Sequence, residues 1–154
     1  MTTIAFNIYN IVPMGKVRQN KADRWKARPC VLRYRDYCDR IRTAYFAAVG
    51  DRGPLDIVVK GHITQYVKLR VPDNKCVVLS VLSCYPQPAS RSAKVMAKYQ
   101  GIDCFKKPDA DNLWGSVADA LFDNDQRCKI GEVYRFWAPG TTGKIAVKIE
   151  IQEA

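Results

Sequence analysis

The sequence has little of what builds a metal-stapled or secreted domain. It holds one histidine, His62, and six cysteines (Cys30, Cys38, Cys76, Cys84, Cys104, Cys128), no two of them in a CxxC pair. Structural zinc draws on closely spaced pairs of such ligands, so no zinc site is expected. No run of about 18 apolar residues occurs, which excludes a membrane-spanning helix. The opening Met1-Thr-Thr-Ile-Ala-Phe lacks a basic segment followed by an apolar core. It reads as a strand and not as a secretory signal. Six reduced thiols in a cytoplasmic protein are therefore expected. Repeats, linkers and low-complexity tracts are missing as well. Acids are scarce: 15 Asp and Glu stand against 25 Lys and Arg, a net charge of +10.

The few acids are unevenly placed. Residues 1–50 carry ten Lys and Arg against Asp23, Asp36 and Asp39, whereas residues 108–154 hold eight of the fifteen acids. A basic body with a local acidic cluster suits a polyanionic partner held around a cation. A length of 154 residues predicts one domain, residues 1–154.

Periodicity supplies the elements. Residues 3–9, 55–69 and 75–85 are rich in β-branched and aromatic types and read as strands. The turn chemistry of Arg70–Asn74 predicts that the last two form an antiparallel pair. Residues 128–137 and 143–151 read as a final pair of strands. In residues 33–48, Tyr34, Tyr37, Cys38, Ile41 and Tyr45 make one helical stripe. Pro29 is expected to keep residues 11–32 irregular. Ser90 would cap a short basic helix over 91–99, and residues 112–121 form another helix. The order β, α, β, β, α, α, β, β gives an α+β fold, with a mixed or antiparallel sheet and helices packed on it.

The informative segment is Lys106-Lys-Pro-Asp-Ala-Asp-Asn-Leu113, followed by Ala118-Asp-Ala-Leu-Phe-Asp-Asn-Asp125. Pro108 resists helix, so Asp109 and Asp111 are expected in extended chain, where residues i and i+2 point the same way. Two neighbouring carboxylates repel unless a cation lies between them. Hard oxygen ligands suit Mg²⁺, which needs only one or two protein carboxylates per ion. Asp111 is alternatively a plain helix cap. Asn112, Gly115 and Asp119 share a polar stripe that either continues the site or is solvated. Carboxylate-held Mg²⁺ with flanking lysines is the equipment of phosphodiester hydrolysis. Trp25 and Trp114 are expected in the core more than on nucleic-acid bases. His62, in a strand, is given no catalytic role.

The string KPDADNL, then DAL eight residues after Asp111, then NDQ, resembles the RusA-type Holliday junction resolvases. The loop Pro13-Met-Gly-Lys16-Val-Arg18 after the first strand is similar to the family's basic loop, so the resemblance covers nearly the whole chain. It implies a homodimer of small α+β subunits that binds four-way DNA junctions and nicks two opposing strands symmetrically. It implies Mg²⁺, with Mn²⁺ able to substitute. The family's three catalytic aspartates fall on Asp109, Asp111 and Asp125, with Asp123 the alternative third ligand across a shortened loop. Phosphates would be received by Lys16, Arg18, Lys94, Lys98, Lys106, Lys107, Arg127 and Lys129. The family's lysine four residues after the second aspartate is Gly115 here; Lys107, Arg127 or Lys129 would have to replace it. Gly115 also costs about 1 kcal/mol of helix propensity, which predicts a close approach there. The competing reading is a catalytically weakened module that binds branched DNA or RNA.

Overall fold

A computed structural model describes residues 1–18, 28–50, 53–62 and 64–154. Trp25 and the basic residues Lys21, Arg24 and Lys26 lie outside the described residues. Among those described, six strands and three helices run in the order β1 (Thr2–Tyr9), α1 (Pro29–Val49), β2 (Asp56–Lys60), β3 (Tyr66–Arg70), β4 (Lys75–Tyr85), α2 (Ala93–Tyr99), α3 (Ala110–Leu121), β5 (Cys128–Trp137) and β6 (Lys144–Glu153). They form one α+β domain whose main sheet is mixed, in the order β1-β6-β4-β5. β6 is antiparallel to both β1 and β4, and β5 is parallel to β4.

Two expectations about pairing fail. Residues 55–69 are not one strand, because the chain folds back at Gly61, whose φ of 91° suits only glycine. The resulting β2–β3 hairpin is a sheet of its own, so β4 is not its partner. His62 sits exposed in that turn and not within a strand. Likewise β5 and β6 are consecutive but not neighbours; β4 lies between them. β4 is buried over most of its 11 residues, with Val77, Leu79 and Val81 at 1% exposure or less. An apolar run of that kind belongs at the centre of a sheet, flanked on both sides.

The helices follow their apolar spacing. All five residues of the expected α1 stripe are buried, with Val31 added. Pro29 does not block this helix but opens it, in the first turn where a missing N–H costs nothing. On α3, Leu113, Val117, Ala118, Ala120 and Leu121 are buried against α1 and the sheet. The Leu and Val side chains among them each contribute about 1.5–3 kcal/mol by leaving water. Tyr37 and Ser116 join α1 to α3 across 2.9 Å. Ser116 Oγ donates to the Leu113 carbonyl, so its lone pair accepts the Tyr37 proton. The cap of α2 is Ser92 and not Ser90; its oxygen accepts from the Val95 amide. Trp114 donates from its indole to the Leu79 carbonyl at 2.9 Å, which fixes α3 across β4. None of the described helices is long and apolar enough to cross a membrane.

Candidate active site

The site is built from the start of α3. Asp109 is its N-cap, with φ −69° and ψ 173°, and its Oδ1 accepts from the Asn112 amide at 3.0 Å. Asp111 is already helical, in the first turn. Asp109 takes the capping role that was the alternative reading of Asp111, and the two do not form the expected extended pair. A helix start after Asp109 explains the difference. Ala110 can begin the helix because Pro108 restricts only itself and the residue before it. Both carboxylates remain exposed at the first turn. The exposed amides and the macrodipole there favour negative charge.

The sheet gathers its loops around this turn. Tyr85, at the end of β4, donates its hydroxyl to the Pro108 carbonyl at 3.0 Å. Arg135 of β5 donates to the same carbonyl at 3.2 Å and to that of Lys106 at 3.4 Å. Residues 101–104 lie along the end of β5, with the Cys104 amide on the Arg135 carbonyl and the Trp137 amide on the Ile102 carbonyl. α2 is tied to the same end, since Gln87 bridges the Met96 and Ala138 carbonyls. The first loop arrives there too: a Cβ on Gly15 would stand 3.3 Å from Pro108 and 3.4 Å from Asn112. Lys16, Arg18, Lys94, Lys98, Lys106 and Lys107 therefore belong to segments that meet at the end of the sheet carrying Asp109 and Asp111.

The other expected residues lie elsewhere. α3 spans 12 residues, and at 1.5 Å per residue its ends are about 18 Å apart. Asp123 and Asp125 follow its far end. The register of β4 separates them too: Cys128, just after Asp125, pairs with Val77 near the start of the strand, whereas Pro108 is held by Tyr85 at its end, so Asp125 is not placed beside Asp109. The described residues contain no group of three or more His, Cys, Asp or Glu placed to hold a metal. Asp123 is committed to Lys60 at 2.6 Å and Arg70 at 2.7 Å. Those hydrogen-bonded cations hold its carboxyl below the ordinary carboxylate range. Asp125 opens a 3-10 turn, Asp125–Arg127, and is exposed. Arg127 is a staple for the β3–β4 turn and not a free phosphate ligand. It meets the Asp73 carboxylate at 3.2 Å and donates to the Asp73 carbonyl at 2.7 Å. Lys129 is exposed on β5 opposite Val78, at the same far end.

Asp119 is half-buried and paired. Tyr34 donates to its Oδ2 at 2.8 Å, and Lys16 and Lys68 each stand 3.6 Å from Oδ1. Burial, with the Asp119 charge adding to it, pushes the Tyr34 hydroxyl far above its ordinary value, so it stays a donor. The expectation of a close approach at Gly115 fails, since an added Cβ would meet nothing within 4 Å. A lysine there would project into open space four residues from Asp111. Sequence reading missed Arg135, which holds the loop, and Phe105, which is 83% exposed beside Lys106. A bulky aromatic preceding two lysines was the available signal for Phe105. Compared with known proteins, the chain matches no protein-family model and no curated sequence.

Proposed function

We propose that the chain is a metal-dependent endonuclease of branched DNA, cutting at the N-terminus of α3 with Asp109 and Asp111. One observation carries this reading. In a protein of net charge +10, Asp109 and Asp111 make no ion pair among the described residues, while Asp119, further along α3, and Asp123, beyond its far end, are each paired to two cations. The resemblance to RusA-type junction resolvases supports the same assignment, and with it a homodimer acting on four-way junctions in the cytoplasm.

The donor set fits Mg²⁺, or Mn²⁺ in its place. Asp109 uses one oxygen on the Asn112 amide, which leaves the other directed by the cap. Two exposed carboxylates are as many as Mg²⁺ takes from a protein when it keeps its waters. When bound, the ion supplies an activated water and neutralises charge at the scissile phosphate. Lys106 and Lys107 hold the flanking phosphates by charge. Asp125 and Asp123 are left outside this site.

The test is nicking of a labelled four-way junction with Mg²⁺ by the wild type and by Asp109→Asn, Asp111→Asn and Asp125→Asn. The first two variants are expected to lose nicking by about a hundred-fold or more, the order of loss for removing one group that stabilises the transition state electrostatically, and the third to retain it. Full activity in Asp111→Asn would sink the assignment. A second reading, a binding module without catalysis, is favoured by Gly115. Gly115→Lys distinguishes the two: a gain in nicking supports an enzyme lacking one cation, and tight binding with no cutting in either form supports the module.

A further inference from the structure

We propose that Phe105 is a base-stacking residue, whose ring takes the face of an unpaired or unstacked nucleotide close to the cutting site; this rests on the placement of that site at Asp109 and Asp111. Phe105 is the most exposed aromatic side chain among the described residues, at 83%. The chain on either side of it is held in place. On one side, Cys104 is buried to 1% exposure and its amide is held by the Arg135 carbonyl at 2.9 Å. On the other, the Pro108 carbonyl accepts from both Tyr85 and Arg135. Residues 105–107 form a short projection fixed at both ends, and the ring extends from a rigid base.

The chemistry of this projection selects its partner. A phenyl ring offers a face and no hydrogen-bonding group, so it recognises that a base is available and not which base it is. Lys106 and Lys107 follow directly and are exposed. Lysine is depleted at the buried centre of protein interfaces but is standard beside nucleic-acid backbones. Asp109 is four positions after Phe105, a span of about 14 Å between their Cα atoms at most. Nucleotides follow each other along a strand at about 3.4 Å. The stacked base therefore lies within about four nucleotides of the phosphate at Asp109. In continuous duplex every base face is occupied, so the ring finds its partner only at branch points, mismatches or single strands. Phe105 thereby makes branched structure, and not sequence, the feature recognised.

The experiment needs no cutting. A four-way junction and a matched duplex, each with 2-aminopurine at the branch position or its duplex equivalent, are titrated with protein in excess chelator. Wild type is expected to change the 2-aminopurine fluorescence of the junction and not of the duplex. Phe105→Ala should abolish that change and weaken junction binding about ten-fold, the order of loss for one stacked ring, with duplex binding unaltered. Phe105→Tyr should restore both. An unchanged signal and junction preference in Phe105→Ala overturns the proposal. So does a shift of free Phe105→Ala from dimer to monomer in sedimentation, which would assign the ring to contact between copies. With Mg²⁺ added, stacking without nicking in the wild type refutes the cutting site and leaves Phe105 its role. Normal junction preference and nicking in Phe105→Ala refutes the role and leaves the cutting site.

Discussion

Gly115 and the hydroxyl of Tyr45 each carry a local cost that nothing around them offsets among the described residues. Gly115 sits inside α3, where glycine is about 1 kcal/mol worse than alanine. Nothing lies within 4 Å of its missing Cβ. Gly115→Ala is therefore expected to stabilise the protein by about 0.5–1 kcal/mol, and thermal melting should rise by about 2 °C or more. A lower melting temperature would show that the position is strained in a way the backbone does not suggest. Tyr45 is buried on α1 with its hydroxyl unpartnered among the described residues. A buried donor left without an acceptor costs about 1–3 kcal/mol. The ring itself is worth keeping, since it packs edge-on to Phe6 at 5.9 Å and Phe46 at 5.2 Å. Tyr45→Phe retains those contacts and removes the orphan oxygen. It should raise the urea midpoint by about 1 kcal/mol of stability, where Tyr45→Ala should lower it by about 3 kcal/mol or more.

The β2–β3 hairpin is attached to the rest of the fold chiefly where α3 ends. Leu69, buried to 2% exposure, bridges to Phe122, and the Asp123 amide donates to the Leu69 carbonyl at 2.8 Å. The Asn124 side chain bonds both the amide and the carbonyl of Val71 at 3.0 Å. Asp123 adds its charge to Lys60 and Arg70, one on each strand of the hairpin. Its carboxyl is depressed below the ordinary 3.8, so its stabilisation is present above that pH and is lost as pH falls through the lower, folded value. Both cations are substantially exposed, which limits the pair to about 1 kcal/mol. Wild type should thus exceed Asp123→Asn in denaturant resistance at neutral pH by about that amount, with the gap closing below pH 3.8. A gap independent of pH would mean that the charge is not the cause. This hairpin also marks what was legible in the sequence. The stripe on α1 and the helix at 112–121 could be read because a 3.6-residue period survives in any context. Strand existence could be read, but partners could not, because β4 separates β5 from β6 and nothing local to either strand records that. The acidic segment could be read, but its geometry could not. Whether Asp109 or Asp111 caps α3 decides where the carboxylates point, and a helix 12 residues long decides that Asp125 is remote.

At the scale of the whole molecule the two ends of the sheet differ, and the difference is measurable. The end carrying Asp109 and Asp111 receives the segments of Lys16, Arg18, Lys94, Lys98, Lys106 and Lys107. The end carrying Asp123 and Asp125 holds Arg127 and Lys129, with Arg127 already bound to Asp73. Each cation that neutralises a phosphate releases counterions, and the slope of log affinity against log salt falls by about 0.9 per contact on B-form DNA. If the first end faces DNA, Lys106→Gln with Lys107→Gln should weaken junction binding at low salt and flatten that slope by up to about 1.8, two contacts' worth. Lys129→Gln should leave the slope as it is. Arg127→Gln should leave it as well while lowering thermal stability, because the residue's partners are the Asp73 carboxylate and the carbonyls of the β3–β4 turn. Net charge alone makes a different forecast, since Arg127→Gln combined with Lys129→Gln removes the same two positive charges from the total of +10 as the Lys106 and Lys107 pair does. Equal slopes for the two double variants would mean that DNA is held by the overall field of a basic protein, and the end with Asp109 and Asp111 would lose its claim to be the DNA-facing surface. Unequal slopes, with the larger change at Lys106 and Lys107, place the phosphates within reach of Asp109 and Asp111.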